Sequence, residues 1–192
     1  MIIEGLLTST DAQGILNVAP MGPIVHGDFQ RLTLRPFSGS TTFENLRTTQ
    51  AGVFHVVDQV SIIAEAAIRR LSKLPPTQPA DQVAGHVLID CCRWFEFRIT
   101  KIDTSHQRSE MEADVVHQGT RRAFNGFNRA RHAVIEAAIL ATRLHLLPEA
   151  EVDAALKFLE PAVQKTGGPE ELHAFDMLQQ HVRQFYRERL SV

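Results

Sequence analysis

Trp94-Phe95-Glu96-Phe97-Arg98-Ile99-Thr100-Lys101-Ile102 is the stretch that decides the fold class. Its parity sets Phe95, Phe97, Ile99 and Lys101 against Trp94, Glu96, Arg98, Thr100 and Ile102. That period of two marks a half-buried strand with a polar second face. Val87 to Ile89 before it and Met111 to Val116 after it read as two further strands. Toward the N-terminus, Ile2 to Leu7, Ile15 to Ala19, Ile24 to His26 and Leu32 to Leu34 are short β-rich runs. They are separated by the turn chemistry of Asp11-Ala12-Gln13-Gly14, Pro20-Met21-Gly22-Pro23 and His26-Gly27-Asp28, as in an antiparallel meander. Ala51 to Val57 adds a buried strand.

Helical signals interrupt these strands. Ser40-Thr41-Thr42-Phe43-Glu44-Asn45-Leu46 has the form of a helix start, with a hydroxyl at the cap and Glu44 placed to reach back. Ile62, Ile63, Ala66, Ala67 and Leu71 recur at helical spacing before Pro75-Pro76 closes the segment, and residues 75 to 83 read as an exposed loop. Seven or eight strands broken by helices, without regular alternation, predict an α+β fold: a small, mainly antiparallel barrel rather than a doubly wound sheet. Near Gly119 the chain changes character. A stripe from Phe127 to Leu146, a helix from Pro148 to Gly167 that Pro161 is expected to kink or split, and a third helix from Pro169 predict a helical C-terminal region. The expected division is therefore 1–120 for the barrel and 121–192 for the helices.

The chain has 192 residues, 44% of them hydrophobic and 22% charged, within the ordinary range for a globular protein. Roughly 70% of the unfolded surface can be buried at this length, so no disulfide is needed. The two cysteines, Cys91 and Cys92, are adjacent, which disfavours an ordinary disulfide and favours a reducing compartment. With no apolar run of membrane-spanning length and no leader pattern, the expected location is the cytoplasm, with no membrane partner. A net charge of -2 gives no whole-chain argument for nucleic acid. Eleven Phe stand against one Tyr and one Trp, and most of them are expected in the core.

Several chemistries find no support. The nine histidines lie singly, with no His-Glu-x-x-His and no Cys-x-x-Cys, so no metal site is expected. There is no nucleophile-elbow Gly-x-Ser-x-Gly, and no Gly-x-Gly of the dinucleotide type. Arg121, Arg122, Arg129 and Arg131, interleaved with Phe124 and Phe127, could serve an anion or RNA, or form a solvated first turn. Two segments are more suggestive. Leu34-Arg35-Pro36-Phe37-Ser38-Gly39-Ser40-Thr41-Thr42-Phe43-Glu44-Asn45-Leu46 places one arginine and several hydroxyls around a glycine turn that opens a helix, which suits a phosphate or serves only as a capped helix start. Leu16-Asn17-Val18-Ala19-Pro20-Met21-Gly22-Pro23 ends a strand and leaves backbone groups free to meet the polar edge of a planar ligand, or is an ordinary strand-ending turn.

Those segments, in that order, resemble the flavin reductase-like split-barrel proteins, which bind FMN at a dimer interface. The whole chain is similar to the family known as domain of unknown function 447, found in methanogens and in bacteria with archaeal-type one-carbon pathways. The resemblance rests on Asn17-Val18-Ala19-Pro20-Met21-Gly22, on Arg35-Pro36-Phe37 through Thr41 to Asn45-Leu46, and on Asn128-Arg129-Ala130 with Ile135-Glu136-Ala137 and Thr142-Arg143-Leu144. It implies a flavin reductase-like split barrel, FMN as cofactor and a homodimer with FMN at the subunit interface. It implies that Asn17, Ala19, Pro20 and Met21 border the isoalloxazine, and that Arg35, Ser40, Thr41 and Thr42 hold the phosphate with Asn45 nearby. His55, with Phe54 and Val56, falls on the next family strand near the flavin. The implied activity is a flavin-dependent reductase, with a link to pterin or one-carbon cofactors as family context. The alternatives are a non-catalytic FMN carrier or sensor, or an anion- or RNA-binding module using the Arg121 to Arg131 cluster. No residue declares itself an acid or base, and His26 and His55 are candidates by neighbourhood alone.

Overall fold

The computed structural model describes residues 1–105 and 109–189. Among the described residues, nine strands and five helices follow one another. They are β1 (Gly5–Thr10), β2 (Leu16–Met21), β3 (Ile24–His26), β4 (Arg31–Leu34), α1 (Thr41–Thr49), β5 (Ala51–Val56), α2 (Val60–Ala67), β6 (Thr77–Pro79) and β7 (His86–Leu88). Then come β8 (Arg93–Asp103), β9 (Glu110–Thr120), α3 (Arg129–Ala141), α4 (Glu149–Thr166) and α5 (Pro169–Arg189).

Seven strands form one antiparallel sheet in the order β2-β1-β5-β8-β9-β4-β3. The two outer strands do not leave the sheet flat. Ile2 bridges Ile24, Ile3 N–H donates to the Pro23 carbonyl, and Val25 N–H donates to the Met1 carbonyl. The segment leading into β1 therefore pairs with β3 at the far end of the sheet, curling it into the expected split barrel. Inside sit Leu7, Leu32, Leu34, Phe43, Leu46, Phe54, Phe95, Phe97 and Met111. Fully burying a side chain of this size contributes about 1.5–3 kcal/mol.

In β8 the alternation holds through Phe95, Phe97 and Ile99, all buried. It then reverses. The register passes from Ile99 opposite Ala113 to Lys101 opposite Glu112, so Thr100 is the extra residue of a bulge. Lys101 consequently turns outward to pair with Glu112 at 3.4 Å, and Ile102 joins the barrel core instead. The first strand lies three residues later than its apolar run suggests, at Gly5–Thr10, and all six residues are buried. Its hydroxyls are tolerated there because they find partners: Thr8 Oγ1 donates to the His86 carbonyl at 2.5 Å. The segment expected as an exposed loop includes β6, which pairs with β7 in a separate two-stranded hairpin.

The chain forms two compact units: residues 1–57 with 73–124, and residues 58–72 with 125–192. The second unit is wholly helical, but it is not a simple C-terminal block. Helix α2 belongs to it, because Val60, Ala64 and Ile68 pack with Ala130, Val134, Ala137, Phe175 and Leu178 in one apolar cluster. Helix α4 runs through Pro161 as one element instead of splitting there. The expectation that most phenylalanines are core holds for Phe43, Phe54, Phe95, Phe97 and Phe175 but not for Phe37, Phe124, Phe127 or Phe158; Phe127 is 92% exposed. Among the described residues, no helix is long and apolar enough to cross a membrane.

Candidate functional site

Strand β2 is an outer strand of the sheet, hydrogen-bonded to β1 along one side. Its other side presents backbone N–H and C=O groups without a ladder partner, the property that lets an edge strand receive another polar edge. The pairing of Ser9 with Asn17 and of Leu7 with Ala19 puts Asn17, Ala19 and Met21 on the same face as Ser9 and Leu7. Pro20 shares the opposite face with Leu6.

Helix α1 begins after a tight turn in which Ser40 N–H donates to the Phe37 carbonyl and Gly39 takes φ of 79°, a conformation that favours glycine. Ser40 is the cap: its Oγ accepts from Phe43 N–H at 3.2 Å. Glu44 does not reach back. It pairs with Arg47 on the helix surface at 2.8 Å. Thr41 stays exposed while Thr42 is buried.

The two segments meet. Asn17 Nδ2 donates to Thr42 Oγ1 at 3.0 Å and to Ser9 Oγ at 3.4 Å, and Asn45 Nδ2 donates to Ser9 Oγ at 3.2 Å. An edge strand and the first turn of a helix, 25 residues apart in sequence, are thus tied by one polar cluster. The free amides of that first turn favour an anion. Arg35 lies on the approach to α1 with its Nε 3.1 Å from Glu110 Oε2, and both side chains are about half exposed.

Among the predicted residues His55 stands apart. It pairs with Leu6, so its side chain leaves the sheet on the face opposite Asn17, Ala19 and Ser9. The imidazole is fully buried: Leu88 N–H donates to Nε2 at 3.1 Å, which leaves Nδ1 protonated and donating to the Leu6 carbonyl at 3.2 Å. Burial drives its pKa down to about 3. His55 is therefore a neutral tie between β5, β1 and the β6–β7 hairpin, with neither nitrogen left for a ligand. His26 is exposed, its Nε2 3.0 Å from Thr33 Oγ1.

The remaining sequence candidates have local partners. Arg122 Nη2 pairs with Asp90 at 3.0 Å, Arg121 lies over the Trp94 ring at 5.2 Å, and Arg131 pairs with Glu171 at 3.1 Å. The basic cluster thus divides between the two units, and most of it is committed to partners within them. Cys91 and Cys92 are buried and form no disulfide; burial pushes the Cys91 thiol up to about 11 despite Arg121, which disfavours the nucleophilic thiolate.

One constellation escaped the sequence reading. Glu96 and His117 are direct cross-strand partners, and Asp81 comes to them from the loop between β6 and β7. Buried Glu96 accepts Asp81 N–H at 3.0 Å and Gln82 N–H at 2.6 Å, while His117 Nε2 lies 3.3 Å from Asp81 Oδ2. With both Glu96 oxygens engaged by backbone, the cluster latches the hairpin tip to the sheet. Only the β8–β9 register reveals it, and a register is not written in either strand alone. An open polar cleft on β3, β4, β8 and β9, lined by His26, Arg31, Thr33, Thr100 and Glu112, contains none of the predicted cofactor residues.

Comparison with known proteins agrees with this fold. The solved structure of an FMN-bound DUF447 protein from Methanosarcina mazei superposes with a TM-score of 0.81 at 24% identity, over 94% of both chains. The 2-nitrobenzoate 2-nitroreductase of Pseudomonas fluorescens gives 0.53 at 20% identity, over 62% of this chain and 64% of its own. The flavin reductase of styrene monooxygenase from Pseudomonas putida S12 gives 0.53 at 17% identity, over 62% and 81%. No curated protein matches the chain. The profile described as "Protein of unknown function (DUF447) N-terminal domain" matches residues 3–122, and the one described as "Protein of unknown function (DUF447)" matches residues 128–180. With a split-barrel fold and both family profiles matched in order, the chain belongs to the DUF447 family.

Proposed function

We propose that this protein is an FMN-binding flavoprotein that acts as a flavin-dependent reductase. The observation that carries the reading is the 3.0 Å hydrogen bond from Asn17 to Thr42, which brings an unpaired strand edge and a capped helix start into one site. FMN needs both: a cradle for a phosphate dianion and a row of polar groups for the rim of a planar ring. The first-turn amides of α1, the hydroxyls of Ser40, Thr41 and Thr42, and Arg35 suit the phosphate. Asn17 and the free backbone from Ala19 to Met21 suit the ring. The FMN-bound relative supports this choice of ligand.

When bound, FMN supplies hydride and electron transfer, and the protein supplies binding and orientation. The Ser9, Asn17, Thr42 and Asn45 cluster orients without titrating, since none of its members ionises in the working pH range. His55 stays neutral between the sheet and the β6–β7 hairpin and holds its proton on Nδ1 toward Leu6. His55 is therefore not a proton donor for the reaction. A second copy of the chain completes the site as a homodimer, and two cysteines that form no disulfide fit a reducing, cytoplasmic setting.

The purified protein is expected to be yellow and to release FMN on heating. A colourless protein that also fails to take up added FMN overturns the reading. Anaerobic bleaching by NADH or NADPH supports the reductase, and a bound flavin that no nicotinamide donor reduces favours a carrier or a different physiological donor.

A further inference from the structure

Ser9 is the residue around which the candidate site is organised, although it carries no charge and is 1% exposed. It stands near the end of β1, between β2 and β5. A hydroxyl oxygen has two acceptor positions. In Ser9 both are used by side-chain amides from two other elements: Asn17 Nδ2 of β2 at 3.4 Å and Asn45 Nδ2 of α1 at 3.2 Å. Asn17 sends its other Nδ2 hydrogen to Thr42 Oγ1 at 3.0 Å. The chain of contacts Asn45, Ser9, Asn17, Thr42 is closed through helix α1, where Thr42 and Asn45 lie three positions apart and share one face.

This closure has a mechanical meaning. Strand β2 could slide or rotate against α1 if apolar contacts alone joined them, because such contacts are not directional. Hydrogen bonds are directional, and two of them meeting on one atom leave little freedom to either amide. Ser9 itself cannot drift, since its backbone sits in the β1–β2 ladder opposite Asn17. Removing its oxygen would take that acceptor from both amides, and for Asn45, which is buried, this is the costly way to lose a hydrogen bond.

We infer that Ser9 is a positioning residue of the flavin site: its oxygen holds Asn17 and Asn45 in one register, and so sets the spacing between the strand edge that receives the ring and the helix start that receives the phosphate. The inference rests on the FMN reading above. Ser9 touches no part of the cofactor and acts through the two asparagines.

The test compares FMN with riboflavin, which has the ring but not the phosphate, by quenching of flavin fluorescence on titration with protein. In Ser9→Ala the FMN Kd is expected to rise roughly tenfold, about 1.4 kcal/mol, while the riboflavin Kd changes far less. The preference for FMN over riboflavin therefore narrows. General destabilisation would weaken both flavins alike and leave the preference intact, and that result in a folded Ser9→Ala protein overturns the inference. Asn45→Ala, which cuts one tie and keeps the serine, is expected to narrow the preference as well. Should Ser9→Ala fail to fold, Asn45→Ala decides alone, and an unchanged preference there counts against the inference. A wild-type protein that binds neither flavin is a different result, overturning the FMN reading and this inference with it.

Discussion

Gly119 lies directly opposite Trp94 across the β8–β9 ladder, and the indole ring occupies the space a side chain at 119 would need. A Cβ there would overlap the six-membered part of the ring, with Cη2 and Cζ2 its nearest neighbours. Gly119→Ala is therefore expected to displace Trp94 and destabilise the protein by about 1–3 kcal/mol. Tryptophan fluorescence reports it directly, since Trp94 is the sole tryptophan. An unchanged emission spectrum with unchanged unfolding midpoint would refute this packing.

Acid should weaken the protein through His55. Its folded pKa of about 3 lies below the ordinary 6.5, so between those values the unfolded chain takes up a proton that the folded chain refuses. Stability contributed by the neutral imidazole is complete above pH 6.5 and declines as pH falls toward 3, by at most about 1.4 kcal/mol per unit. Urea unfolding across that range is expected to show a shallower decline for His55→Gln than for the wild type. Parallel curves would mean that the imidazole is not held neutral.

The helical unit has its own electrostatic centre. Arg131 lies 3.1 Å from Glu171 and 3.8 Å from Asp58, and both carboxylates are nearly buried. Burial alone would raise the Glu171 pKa, but the Arg131 hydrogen bond and the Gly168 N–H together outweigh it and hold it below 4.5. That contribution is present above the ordinary carboxylate range and is lost as pH falls through the lowered value. Arg131→Met, which takes the cation from two buried carboxylates and leaves them only backbone and lesser partners, is expected to cost about 3 kcal/mol in thermal or denaturant unfolding. Glu171→Gln should cost less, since Arg131 retains Asp58.

Arg35 and Glu110 offer the opposite balance, a large effect on ligand and a small one on fold. Their pair is half exposed, so breaking it changes stability by at most about 1 kcal/mol. Arg35→Ala is expected to weaken FMN roughly tenfold or more, the scale of one charged hydrogen bond. Glu110→Gln, which frees the guanidinium, should tighten FMN instead. Equilibrium dialysis of the two variants against FMN separates these directions, and unchanged occupancy in Arg35→Ala would show that the phosphate binds elsewhere.

Local patterns announced much of this architecture. The turn residues around Ile24–His26, the Ser40 cap and the Phe95, Phe97, Ile99 alternation each express an interaction confined to a few neighbouring residues, and each stands where its pattern placed it. What stayed hidden depends on pairing between distant segments. Whether His55 or Phe54 faces Asn17 turns on the β1–β5 register, since a shift of one residue reverses every side chain. Glu96 looks like a solvent-facing residue until the hairpin tip is laid over it. Ser9 carries no sequence signal, because a serine in a strand is ordinary and only its two amide partners give it meaning. Phe158 shows the reverse: at helical spacing an aromatic residue suggests core, yet it points outward.

The membership of α2 in the helical unit sets an order on biosynthesis. Val60, Ala64 and Ile68 leave the ribosome before β6, β7, β8 and β9 exist, while the helices that will cover them come last. For the whole of that interval an apolar stripe waits uncovered. A chain cut after the barrel would keep the stripe and lose its cover for good, so the barrel is not a fragment that can be expressed by truncation; excising residues 58–72 as well is the more promising way to isolate it.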